Sequence, residues 1–156
     1  MPASVFIETT IPSYYYETRK DRRTADWRAQ TRLWWDKYAP TYTLVTSDFV
    51  IAEYLRAPTA KSARAARFFS GVTVLPVPAR FEAVVNAYIE AKVMPADELG
   101  DAAHLAAASL HGIDFILTWN CRHLANANKA RHIRAVNTRL GLPTPIIATP
   151  FEVIPE

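Results

Sequence analysis

Ser4-Val5-Phe6-Ile7-Glu8-Thr9-Thr10 decides how the rest of the chain is read. Its first four residues are too few for a helix, and their apolar run predicts a strand buried on both faces. Glu8 follows at once, and a carboxylate at the end of a buried strand is costly unless solvated or paired. Outward from this stretch, residues 42–46, 72–77 and 115–118 read as further strands, and Ile146-Ile147 as a fifth. Helical apolar spacing fills the intervals at 11–16, 24–38, 49–56, 59–69, 79–93, 101–110 and 126–140. Pro40, Pro58, Gly112 and Gly141 stop four of these helices, and Ser47 or Asp48 caps the third. Strands alternating with helices imply an α/β sandwich with a mainly parallel sheet. Ligands of such sheets collect at the carboxyl ends of the strands. Glu8 lies there after the first strand and Asn120 after the fourth. Glu53 and Asp101 sit on helices able to lean over the same edge.

Composition narrows the class. A chain of 156 residues fits one domain, spanning 1–156, and half its residues are hydrophobic, enough for a packed core. No apolar run approaches the roughly 18 residues of a membrane helix. The start, Met1-Pro2-Ala3-Ser4, lacks the basic and apolar regions of a secretion signal, so a cytoplasmic protein is expected. Cys121 is the one cysteine, which excludes disulfides and a thiolate zinc site. The net charge is +3, and no acidic residue occurs between Phe115 and Phe151, where Arg122, Lys129, Arg131, Arg134 and Arg139 lie. Arg19, Lys20, Arg22, Arg23, Arg28 and Arg32 form a second basic cluster. Such stretches fit a polyanionic partner or a pair of solvated helix faces.

Glu53 interrupts an apolar helix, Phe49-Val50-Ile51-Ala52-Glu53-Tyr54-Leu55, and Asp101 opens an alanine-rich one. Each has a plain structural role: a polar position on an amphipathic helix, and an acid favoured by the helix dipole. Together with Glu8 they form an oxygen-donor set suited to a hard divalent cation.

Four stretches in order carry a resemblance: Val5 to Tyr14, Ser47 to Glu53, Gly100 to Ala108, and Gly112 to Asn120. They resemble the PIN-domain ribonucleases, most closely the VapC-type toxins of toxin–antitoxin pairs, over nearly the whole chain. The resemblance implies a three-layer α/β/α sandwich and an endoribonuclease dependent on Mg²⁺ or Mn²⁺. It matches Glu8, Glu53 and Asp101 to the family's first three acids, and Asn120 to the fourth motif. It further implies an RNA substrate, a cognate antitoxin inserting near the acidic pocket, and a homodimer. The chain departs from the family pattern at two places. Glu8 stands where Asp is common, reaching out by about one bond, roughly 1.5 Å. Asn120 keeps an oxygen but drops a charge, so one tightly held ion and a second bound with RNA are expected. Asp114 offers no replacement, because it lies about 13 Å back along its strand at 3.3 Å per residue.

Around these acids, Thr9 and Thr10 either bond the ligands or serve the turn, and Thr118 is a candidate to orient a ligand. His104, one turn beyond Asp101, either orients a ligand, contacts phosphate or is a hydrogen-bonded core histidine. Arg122 is placed to touch the RNA backbone. Tyr14, Tyr15 and Tyr16 stack on unpaired bases or pack within the protein. Of Trp27, Trp34 and Trp35, at least one is expected to face outward at an interface. A degenerate PIN domain binding RNA or protein without cutting is the competing reading. A Cys121–His123 hydrolase lacks an orienting partner, and an aspartyl phosphatase lacks its Asp after the first strand.

Overall fold

A computed structural model describes residues 2–56, 61–94, 99–122 and 124–156. His123 and the first two residues of the helix expected at 59–69 lie outside them. Five strands form one all-parallel sheet: β1 (Ser4–Ile7), β2 (Thr43–Ser47), β3 (Thr73–Leu75), β4 (Phe115–Leu117) and β5 (Ile146–Ala148), in the order β3-β2-β1-β4-β5. Among the described residues, seven α-helices accompany it: α1 (Thr10–Tyr15), α2 (Arg22–Leu33), α3 (Asp48–Leu55), α4 (Lys61–Phe68), α5 (Phe81–Glu90), α6 (Leu99–Leu110) and α7 (Ala127–Leu140). Consecutive Val5, Phe6 and Ile7 are all fully buried, as are Ile116 and Leu117. Side chains alternate faces along a strand, so both faces of the sheet centre are covered. Helices cover both faces: α1 packs on α2, and α5 on α6 and α7, while α3 meets both α4 and α6.

Local chemistry sets the boundaries. Asp21 caps α2 by accepting from Thr24 N at 3.1 Å, so that helix begins before the expected residue 24. Ser47, not Asp48, caps α3 by accepting from Val50 N at 3.3 Å. Strand β3 ends at Leu75, short of the expected 77, because Pro76 and Pro78 follow and proline cannot donate to a ladder. Gly141 closes α7 at φ 72°, a conformation costly for any side chain but glycine's.

The segment expected as one helix over 24–38 changes pitch. Residues Trp34–Tyr38 form a π-helical turn after α2. The two adjacent tryptophans diverge onto different partners, as neighbours on any helix do. Trp34 is wholly buried and stacks on Tyr42 at 5.6 Å, while Trp35 stacks on Phe68 at 3.8 Å. Trp27, half-buried, stacks on Trp119 at 4.5 Å. The expected outward-facing tryptophan is therefore replaced by three packed ones. Tyr15 and Tyr16 likewise pack edge-on against Phe68, at 5.6 and 6.2 Å.

Candidate metal centre

The order β3-β2-β1-β4-β5 reverses direction beside β1, and the crevice between β1 and β4 is where such sheets bind ligands. Glu8, nearly fully buried, follows β1 into that crevice. Its Oε1 accepts from Thr10 N at 3.0 Å, from the Thr10 hydroxyl, and from the Thr118 hydroxyl at 2.7 Å. Each hydroxyl also accepts from a backbone amide beyond β4: Thr10 Oγ1 from Trp119 N at 2.8 Å, and Thr118 Oγ1 from Asn120 N at 2.9 Å. An ionised carboxylate can only accept, so both hydroxyls turn their single proton to it while each accepts from its amide. Two threonines thus lock Glu8 to the opposite strand end through Oε1, and none of these bonds uses Oε2.

Helix α3 brings Glu53 over the same edge. Its carboxylate Oε2 lies 3.5 Å from Nε2 of His104, on α6. The imidazole holds the Glu53 carboxyl below its usual range; partial burial opposes this and the Thr9 hydroxyl assists it. His104 is fully buried, and neither ring nitrogen reaches hydrogen-bond geometry with a partner. Leaving a buried polar group unsatisfied costs about 1–3 kcal/mol, so native proteins rarely do so without a function. Among the described residues, one oxygen each from Glu8 and Glu53 and one nitrogen from His104 lie within 4.8 Å of one another. This orphaned nitrogen beside two carboxylates fits a divalent cation.

Gly100, one residue before Asp101, explains how α6 comes so close to α3. A Cβ built on it would stand 2.5 Å from Glu53 Oε2 and 3.9 Å from His104 Nε2. The obstructing atom is the tip of a flexible side chain, so Gly100→Ala is expected to displace the carboxylate and leave the fold intact. Mn²⁺ affinity by calorimetry should fall about 10–100-fold, the range seen when a ligand's support is lost. The urea midpoint should drop little or rise, because alanine is the better helix former by up to about 1 kcal/mol. Unaltered Mn²⁺ affinity would show that the carboxylate is not held against this helix.

Asp101 and Asn120 line the same open cleft, of about 890 Å³, as Glu8 and Glu53. The Asn120 amide donates toward both Asp101 oxygens at 3.3 Å. Asp101 is nevertheless not part of the 4.8 Å set. Asp114 stands at the other edge, accepting from Ser4 N at 2.8 Å, as the strand arithmetic requires. Arg122 is exposed and does not line the cleft; its carbonyl accepts from the Asn126 side chain at 3.1 Å. Tyr14 lines the cleft and packs on Trp27 and Trp119. The sequence reading did not single out Arg56, Phe49 or Phe81 at the cleft. Phe49 is 41% exposed and stacks on Phe81 at 5.0 Å. The amino-terminal basic cluster is partly consumed within the protein: Arg28 donates to the Glu17 and Arg19 carbonyls, and Arg32 to that of Tyr15. Among the described residues no helix is long and apolar enough to cross a membrane.

No protein-family model matches this chain, and no curated protein does. Among solved structures, the chain is similar to the crystal structure of Mycobacterium tuberculosis VapC20, a sarcin-ricin loop cleaving toxin. The match has 22% sequence identity and a TM-score of 0.51, and covers 72% of this chain and 86% of that one. The two proteins share a fold, the PIN-like α/β/α arrangement expected from the sequence motifs.

Proposed function

We propose that this protein is a metal-dependent endoribonuclease and the toxin of a toxin–antitoxin pair. The observation that carries the reading is the approach of Glu8 and Glu53 at the switch point of a fold shared with an RNA-cleaving toxin. Glu8 and Glu53 would hold Mg²⁺ or Mn²⁺, with Asp101 and Asn120 beside them in the cleft. A divalent ion supplies Lewis acidity toward the phosphate and lowers the pKa of water. Asp101, in the same cleft, would accept a proton from the attacking water. Arg56 offers charge to the phosphate, and exposed Phe49 offers a face to an unpaired base. We place the protein in the cytoplasm, as a homodimer of one-domain chains whose antitoxin covers this cleft.

The test is incubation of the untagged protein with structured RNAs and Mg²⁺ or Mn²⁺. Cleavage abolished by EDTA and by Asp101→Asn is expected. Saturating Mn²⁺ to 100 times its Kd should add about 2.7 kcal/mol of stability, a rise of roughly 5–10 °C in Tm. Cleavage indifferent to EDTA would overturn the mechanism. RNA bound but never cut would instead mark a binding module. One feature favours that second reading: the Asn120 amide, rather than a fourth carboxylate, faces Asp101.

A further inference from the structure

We propose that His104 is itself a ligand of the cation, through Nε2, and that the site is a mixed nitrogen–oxygen centre preferring Mn²⁺ to Mg²⁺. This rests on the metal-dependent reading above and changes its ligand set: Glu8, Glu53 and His104 in place of three acids. Four observations converge. His104 is fully buried, and neither ring nitrogen is in hydrogen-bond geometry with a partner. Its Nε2 is aimed at the carboxylate cluster, 3.5 Å from Glu53 Oε2 and within the 4.8 Å set that includes Glu8. The space between α6 and the Glu53 carboxylate is kept open by Gly100, whose absent Cβ would stand 2.5 Å from Glu53 Oε2 and in ordinary contact with His104 Nε2. The hydrogen bonds from Thr10 and Thr118 all fall on Glu8 Oε1, which fixes the carboxylate while leaving Oε2 outside them.

A histidine that only steadied Glu53 would make a well-formed hydrogen bond to it and bring its other nitrogen to a partner. It does neither. The donor set then chooses the metal. Mg²⁺ favours an octahedral shell of oxygens and retains its waters, whereas imidazole nitrogen suits first-row transition ions. Mn²⁺ accepts both donor types. Stronger binders in the same series, Co²⁺ and Zn²⁺, should also occupy the site more tightly than Mg²⁺.

The experiment is pulsed electron paramagnetic resonance of Mn²⁺ on the untagged protein, with a competition titration against Mg²⁺. Wild-type protein should show ¹⁴N modulation from a coordinated imidazole, replaced by the ¹⁵N pattern when histidine alone is ¹⁵N-labelled. His104→Gln should keep a bound Mn²⁺ without the nitrogen signal, and its preference for Mn²⁺ over Mg²⁺ should shrink about 10-fold or more. The labelled wild type needs no variant to fold, so the proposal stays testable if His104→Gln does not. Bound Mn²⁺ without nitrogen coupling would overturn the ligand assignment, as would a nitrogen signal surviving in His104→Gln. Either result in a protein that still cuts RNA leaves the nuclease reading standing. A histidine signal in a protein that cuts no RNA supports the ligand and removes the nuclease. No Mn²⁺ binding at all removes both.

Discussion

Glu53→Gln should lower metal-dependent RNA cleavage by about 10²–10³-fold, the scale on which a single preorganised electrostatic group counts. The substitution keeps the shape of the side chain and removes only its charge. Glu53 is 34% exposed at the side chain, and the Ser47 cap of its helix lies six residues away. The fold should therefore survive, and circular dichroism and the urea midpoint should match the wild type closely. Mn²⁺ affinity should fall with activity, because the missing carboxylate is one of two that face the buried imidazole. Acid behaviour gives a second readout. The Glu53 carboxyl is held below its usual 4.5 by His104. Its contribution to stability is then full above that usual value and is lost as pH falls through the lower folded value. Glu53→Gln should remove that part of the acid limb of the stability–pH curve. Full cleavage by the variant would remove Glu53 from the site altogether.

The parts legible in the sequence were those in which local and global signals agree. Val5-Phe6-Ile7 could only be a strand covered on both sides, and a polar residue after such a strand had to lie at the sheet's carboxyl edge. Glu8 and Asn120 follow from that rule alone. Glu53 was legible as a break in an apolar helix. His104 was legible as a candidate beside Asp101 but its role was not, because a histidine on an alanine-rich helix reads alike whether it is buried and bonded or buried and orphaned. Only the lack of a hydrogen-bond partner at either ring nitrogen separates the two. Gly100 is equally silent in sequence, where it reads as a helix-start glycine; its role lies in what its missing Cβ leaves clear. The basic cluster at Arg19–Arg32 misleads in the opposite direction. Charge counting cannot tell a guanidinium awaiting phosphate from one bonded to three backbone carbonyls, as Arg28 and Arg32 are between them.

Trp34→Ala should cost about 3–5 kcal/mol, the range for truncating a buried large aromatic residue. Against a total stability of about 5–15 kcal/mol, that is enough to leave a large unfolded fraction at 37 °C. Three losses add. The ring is wholly buried, so its full apolar area returns to solvent or leaves a void. Its stack on Tyr42, which itself meets Phe115 of β4 edge-on, disappears. The Nε1 donor to Val153 O, at 2.6 Å, also goes, and with it a tie between the π-helical turn and the carboxyl-terminal segment. Trp34→Phe separates the terms: it keeps most of the ring burial and loses the donor, so its cost should be about 1–2 kcal/mol. Trp35→Ala is the control. Trp35 is only half-buried, so urea denaturation should rank it well below Trp34→Ala. Equal costs for the two would mean that the deeper burial of Trp34 and its bond to Val153 do not set the ranking.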